Sequence, residues 1–148
     1  MNTSLSTVIA KSLPSLSNSA LTYNAGKNLY LTTGYTSLAG NTSFRAIRFS
    51  NKLAVYYDVC IGYARTFLNG ITLYCWDGQN ARIIARKLWG GCNNWVDFSE
   101  QFAKEQSIIM LKEFLEGQAK MQGYNIPQQQ LLENASLIIN EVHQKCLA

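Results

Sequence analysis

Apolar and polar residues alternate through the middle of the chain, and the spacing becomes helical near residue 97. Between Ser43 and Trp89, runs rich in Tyr, Ile, Val, Phe and Trp are separated by short turn sequences, as in antiparallel strands. Beyond Asp97, apolar residues recur every three or four positions, which predicts amphipathic helices. The pattern therefore predicts an α+β fold: an antiparallel β-meander of about four to five strands covered by a pair of C-terminal helices.

Local signals set the bounds of the helices. Asp97 and Glu100 have the spacing of a capping box, and Gly123 is typical of a helix end. Pro127 suits the first turn of the last helix. We therefore predict a single domain at 42–148, with a sheet at 42–91 and helices at 97–122 and 127–146.

The N-terminal residues 1–41 are biased toward Ser, Thr and Asn and predict an arm. Apolar positions from Leu5 to Leu13 have the spacing of a short helix, which Pro14 ends. Residues 27–33 would form a first strand of the sheet. Alternatively, the arm docks on the domain or on a neighbouring subunit.

Short polar sequences predict the turns of the meander. Asn69-Gly70 predicts a two-residue hairpin, because both residues tolerate the positive φ that such a turn needs. Ser50-Asn51 and residues 77–80 predict two further turns. Gly62 lies inside an extended run, where glycine is typical of a bulge or bend.

The hairpin register sorts the side chains onto two faces of the sheet. One face carries Leu68, Ile71, Leu73 and Cys75, and the other carries Tyr63, Arg65, Phe67, Tyr74 and Trp76. The next strand places Ile83 beside Tyr74 and Ile84 beside Leu73, so neither face is purely polar. Because one set of helices covers one face, we expect the second face to be a subunit interface or a ligand surface.

Charge is distributed unevenly along the 148 residues, of which 15% are charged. The net charge is +4, but residues 42–91 hold seven bases and two acids, an excess of +5. Residues 92–148 hold four bases and seven acids, an excess of −3. The predicted sheet is therefore basic and its helical cover acidic, which favours an anionic ligand or an acidic partner.

Several functional classes have no support in the sequence. The apolar runs are too short to cross a bilayer and the first residues lack the layout of a signal peptide, so we expect a cytoplasmic protein without a membrane partner. The four cysteines have no CxxC spacing, which indicates isolated thiols and no metal site or disulfide framework. They are Cys60, Cys75, Cys92 and Cys146.

No catalytic motif is present, and we expect no cofactor. Neither a phosphate-binding loop nor a G-x-S-x-G elbow occurs, and the only histidine, His143, lies beside the apolar stripe of the last helix. Asp58 is the one acid within the strands and is expected to pair with Arg45 or Arg65. An enzyme with an unrecognised site, using Cys75, Cys92 or His143, stays an alternative.

The segment from Lys87 to Asp97 joins the last strand to the first long helix and is the strongest candidate site. Its glycines let backbone amides turn toward a ligand, and its tryptophans offer stacking surfaces. Arg82 and Arg86 are expected on one side of the preceding strand. The alternative is a tight connection whose two tryptophans are anchored in the core. The predicted ligand-binding residues are Arg45, Arg65, Arg82, Arg86, Trp89, Gly90, Gly91, Asn93, Asn94 and Trp95.

These patterns favour a non-enzymatic, homo-oligomeric binding protein. It would sequester a small anionic, nucleotide-like ligand or dock an acidic protein, in the manner of a stoichiometric inhibitor of viral or mobile-element origin. Single-stranded nucleic acid also fits the mixture of arginine and aromatic residues, although +5 is a modest charge for binding it. A structural subunit of a homo-oligomeric or viral-type assembly is the other alternative.

Overall fold

A computed structural model describes residues 3–13, 35–38, 41–49, 53–62, 65–76, 81–89 and 96–144. Only the backbone is described at residues 3, 35–38, 41–49, 60–62, 65–66, 76, 81 and 144. The predicted α+β class is confirmed. The elements are α1 (Thr3–Ser12), β1 (Tyr35–Leu38), β2 (Asn41–Phe49), β3 (Ala54–Gly62), β4 (Arg65–Trp76), β5 (Ala81–Leu88), β6 (Val96–Asp97), α2 (Glu100–Met121) and α3 (Gln128–Gln144).

The described strands form one antiparallel sheet in the order β1-β2-β3-β4-β5. Each strand pairs with the next in sequence, so the sheet is the predicted meander. The short β6 pairs with Phe67 and Leu68 of β4, beyond the point where β5 ends opposite Gly70. β4 is therefore hydrogen-bonded along both of its edges.

The hairpin predicted at Asn69-Gly70 is wrong. β4 runs without a break from Arg65 to Trp76, and both residues lie inside it. The chain instead reverses direction after Gly62, which ends β3 and lies opposite Arg65 at the start of β4. Gly62 thus marks the end of a strand, and the bulge or bend expected there lies elsewhere.

Asn69 is the extra residue of a β-bulge in β4. Val59 of β3 lies opposite Leu68, whereas the preceding Asp58 lies opposite Gly70. A Cβ atom on Gly70 would lie 2.8 Å from Leu88 Cδ2 and 3.3 Å from the Lys87 carbonyl oxygen. A residue without a side chain therefore suits this close approach of two strands.

The core-facing side chains of β4 are those that the sequence predicts, but a bulge places them there and not the predicted hairpin turn. Leu68, Ile71, Leu73 and Cys75 are all buried in the core beneath the helices. A one-residue bulge places residues three apart on the same face, as a two-residue turn also does. The bulge therefore reproduces the division that the hairpin register predicted.

The helices form a layer over one face of the sheet. α2 packs against β4 and β5, α3 packs against β2 and α2, and α1 packs against α2. The core contains leucine, isoleucine and valine from both layers; its largest fully buried side chains are Tyr57, Leu5, Leu13, Leu53, Leu68, Ile71, Leu73, Leu111, Leu115, Leu131 and Ile139. Because α1 contributes Leu5 and Val8, the first helix belongs to this core. The strand expected at 27–33 lies outside the described residues.

The long helices begin and end close to their predicted bounds, with one correction. Asp97 belongs to β6, and the N-cap of α2 is Ser99, whose hydroxyl accepts a 3.0 Å hydrogen bond from the Phe102 amide. Gly123 follows α2 with φ of 83°. This positive φ is readily adopted by glycine, so Gly123 ends the helix as predicted.

Deletion of Asn69 is expected to preserve the fold, because it converts the bulge into a regular ladder. Leu68 and Ile71 would stay on the core face. The main loss is the 2.8 Å hydrogen bond from the Trp89 amide to the Asn69 carbonyl. We expect the free energy of unfolding, measured by chemical denaturation, to fall by about 1–2 kcal/mol.

Deletion of Thr72 is the matched control. It shortens β4 by one residue where there is no bulge, so Leu73 and Cys75 would turn away from the core. We expect this variant to lose cooperative unfolding altogether. Equal stability of the two deletion variants would contradict the bulge.

Candidate binding surface on strand β5

β5 is the last strand on the path of the sheet, and its strand neighbour in the described structure is β4. It carries three bases and no acid. Arg82, Arg86 and Lys87 are all exposed. We call these three residues the basic edge.

A second bulge distributes the basic edge over both faces of the sheet. Ala85 lies opposite Leu73 and Ile83 lies opposite Tyr74, so Ile84 is the extra residue. As a result, Arg82 lies opposite the core residue Cys75, whereas Arg86 lies opposite Thr72 on the other face. The expectation that both arginines share one side of the strand is wrong, because the bulge reverses the alternation between them.

Neither arginine of the basic edge is neutralised by a carboxylate within the described part of the chain. The polar contact of Arg82 is a weak one, with Nη2 4.0 Å from the Cys75 sulfur. Arg86 lies close enough to Tyr74 to influence its ionisation. Both guanidinium groups are therefore open to an anionic partner.

Tyr74 lies on the second face of the sheet, close to Arg86. Burial of its ring raises the pKa of the phenol above the usual 10.0, and the positive charge of Arg86 partly offsets this increase. The folded protein therefore keeps the phenol proton at pH values where the unfolded chain loses it. The contribution of Tyr74 to the free energy of unfolding is therefore fully present below pH 10.0 and declines as the pH rises above this value.

Lys87 links the basic edge to α2. Its Nζ donates a 3.0 Å hydrogen bond to Gln106 Oε1 and lies 5.2 Å from the centre of the Trp89 ring. Trp89 is half-buried, with its ring centre 5.9 Å from that of Phe102. Trp89 thus anchors the end of β5 to the helical layer. For this residue, the contact agrees with the alternative in which the tryptophans of the connecting segment are anchored in the core.

The other predicted site residues are not gathered around the basic edge. In the backbone register Arg45 of β2 lies opposite Asp58, as expected for an ion pair, and Arg65 begins β4. β2 is separated from β5 by two strands, so their axes lie roughly 14 Å apart. Gly90, Gly91, Asn93, Asn94 and Trp95 lie outside the described residues.

Two large apolar side chains are exposed beside the bases. Ile83 is 50% exposed and Leu88 is 62% exposed. They lie opposite Tyr74 and Gly70, which places them on the same face as Arg86. This face of β5 therefore has the order apolar, basic, apolar.

A buried polar cluster lies between the sheet and the helices, which the sequence did not reveal. The Tyr57 hydroxyl lies 2.7 Å from His143 Nε2 and 3.5 Å from Ser107 Oγ. Ser107 donates a 2.8 Å hydrogen bond to the Ala103 carbonyl. Tyr57 and Ser107 are completely buried, whereas His143 is half-buried. One signal was available, since a tyrosine on a core-facing position of a strand requires a partner for its hydroxyl.

A cleft of about 220 Å³ lies where α2 turns into α3. Glu116 and Lys120 contribute opposite charges to its wall, and Gln128 donates a short hydrogen bond to the Glu116 carboxylate. Because these charges balance, this cleft has no preference for an anion.

Comparison with protein-family models, with curated proteins and with solved structures finds no match for this chain. Among the residues that the structure describes, no helix has the length and apolar character needed to cross a membrane. The same residues include no cluster of three or more side chains suited to a metal ion. The function must therefore be argued from the geometry of this chain.

Replacement of Tyr57 by phenylalanine is expected to lower the free energy of unfolding by about 1–2 kcal/mol, because His143 and Ser107 lose their shared partner. Chemical denaturation measures the loss. Tyr124→Phe is the control, since Tyr124 is half-buried and its hydroxyl makes no hydrogen bond to a described residue. Similar losses in both variants would show that the Tyr57 cluster contributes nothing specific.

Replacement of Arg86 by glutamine is expected to raise the pKa of Tyr74 further, because the offsetting positive charge is removed. Arg86→Lys retains the charge and should leave the pKa close to its original value. NMR titration of ¹³C-labelled tyrosine, with Tyr74→Phe for assignment, measures both. A fall in the pKa on Arg86→Gln would contradict the assigned electrostatic contact.

Proposed function

We propose that this protein is a non-enzymatic binding protein that docks an acidic protein partner on the basic edge. The observation that carries the proposal is a solvent-exposed outer strand with three bases and no acid. Its two arginines have no carboxylate partner within the described residues. Such a surface attracts and orients an acidic partner.

The arrangement of the bases favours a protein partner over a small anion. Arg82 and Arg86 lie on opposite faces of β5 and do not converge on one point, as a nucleotide phosphate would require. The cleft beside Lys120 has balanced charges. Trp89 is already packed against Phe102 and Lys87, so its ring offers little surface for stacking a base.

Among the described residues, the groups that could perform chemistry are buried or held, which agrees with binding without catalysis; Cys92 lies outside the described residues. Tyr57 and Ser107 are completely buried, and the Cys75 thiol is buried as well. None of them reaches a surface on which a substrate would lie. The half-buried His143 is held by Tyr57, which supports a structural role for this histidine.

The proposal is tested by titration with poly-L-glutamate and, separately, with ATP. We expect Arg82→Gln and Arg86→Gln to weaken poly-L-glutamate binding by roughly threefold each and about tenfold together, with stronger effects at low salt. Because both side chains are exposed, the melting temperature measured by circular dichroism should remain within about 2 °C of the original.

Lys11→Gln is the matched control, since it removes the same charge from an exposed position on α1. It should leave binding almost unchanged. An equal effect of Lys11→Gln would show that only net charge matters. Tighter binding of ATP than of poly-L-glutamate, lost in the arginine variants, would support the small-anion alternative instead.

A further inference from the structure

β5 has an outer edge whose backbone groups are not used within the described structure. Its ladder runs to β4 from Ala81 to Leu88, and no described strand lies on its other side. Within the part of the chain that the structure describes, residues 82–88 make no hydrogen bonds besides the ladder to β4 and the side-chain contacts of Arg82 and Lys87. A strand of this kind is a template for another extended chain.

We propose that the acidic partner binds by strand addition: an extended acidic segment pairs with the outer edge of β5 and continues the antiparallel sheet. This inference rests on the proposed function and specifies how the partner is held. Backbone hydrogen bonds would supply affinity, and alternate side chains would supply specificity.

A second copy of this chain is a poor occupant of the edge. If two β5 strands paired antiparallel with Ile84 opposite Ala85, the faces of the two copies would match and Arg82 of each copy would lie opposite Lys87 of the other. Because like charges directly opposite each other destabilise a strand pair, the edge disfavours self-pairing and favours acids.

The register of β5 defines the chemistry of the partner. On one face, apolar residues would lie opposite Ile83 and Leu88, and an acid would lie opposite Arg86. On the other face, acids would lie opposite Arg82 and Lys87. For a regular antiparallel segment with one residue opposite the bulged pair Ile84 and Ala85, this corresponds to the peptide Val-Glu-Glu-Thr-Val-Glu, beginning opposite Leu88.

The experiment uses this peptide, acetylated and amidated, with the full-length chain. Two derivatives carry N-methyl groups on alternate amides. One derivative is methylated at the odd-numbered residues and the other at the even-numbered residues. Both have the same charge, but only one set of amides points toward β5. We expect one derivative to bind at least about tenfold more weakly and the other to bind within about twofold of the parent peptide.

Hydrogen exchange provides the structural readout. Amides of β5 that point away from β4 should become protected when the parent peptide binds, whereas amides of α3 should not change. Unchanged exchange in β5 at saturating peptide would overturn strand addition.

The outcomes separate the two proposals. Equal binding of both N-methylated derivatives, with binding still weakened by Arg86→Gln, would overturn strand addition and leave the acidic-partner proposal standing. Unequal binding of the derivatives, unaffected by Arg82→Gln and Arg86→Gln, would support strand addition and contradict recognition by charge. Absence of binding at about 1 mM peptide would contradict both proposals.

Discussion

The paired backbone of β4 holds this structure together. β3 pairs with one of its edges from Arg65 to Tyr74, while β5 and β6 share the other. Its core-facing side chains lie beneath α2. The bulge at Asn69 keeps Leu68 and Ile71 on that same face, so the helical layer can bury both. The positions of β5, β6 and α2 follow from this strand.

The second bulge, at Ile84, decides what the outer strand presents to solvent. Without it, Arg82 and Arg86 would share a face, and the strand would resemble a small cationic site. With it, the arginines are distributed over both faces, beside the exposed Ile83 and Leu88. A single extra residue therefore changes the surface from one suited to a small anion to one suited to an extended chain.

The architecture could be predicted from the sequence because alternation and helical periodicity are local properties. The choice between turn and bulge at Asn69-Gly70 could not, since both conformations use the same residues and the pairing partners decide between them. Arg82 and Arg86 could be predicted as exposed bases, but their separation depends on the register with β4. The contact between Tyr57 and His143 joins residues 86 positions apart, and no local pattern indicates how a helix is oriented on a sheet.

A basic outer strand also has a simpler explanation, because charges on an edge prevent sheets from aggregating. For that purpose charges of either sign would serve, and the strand should expose little apolar surface. Here all three charges are positive, and they flank two large apolar side chains that are at least half exposed. Protection alone does not account for Ile83 and Leu88, which would themselves promote aggregation. An acidic, partly apolar segment would satisfy both the charges and the exposed apolar surface, and this supports the proposed docking surface.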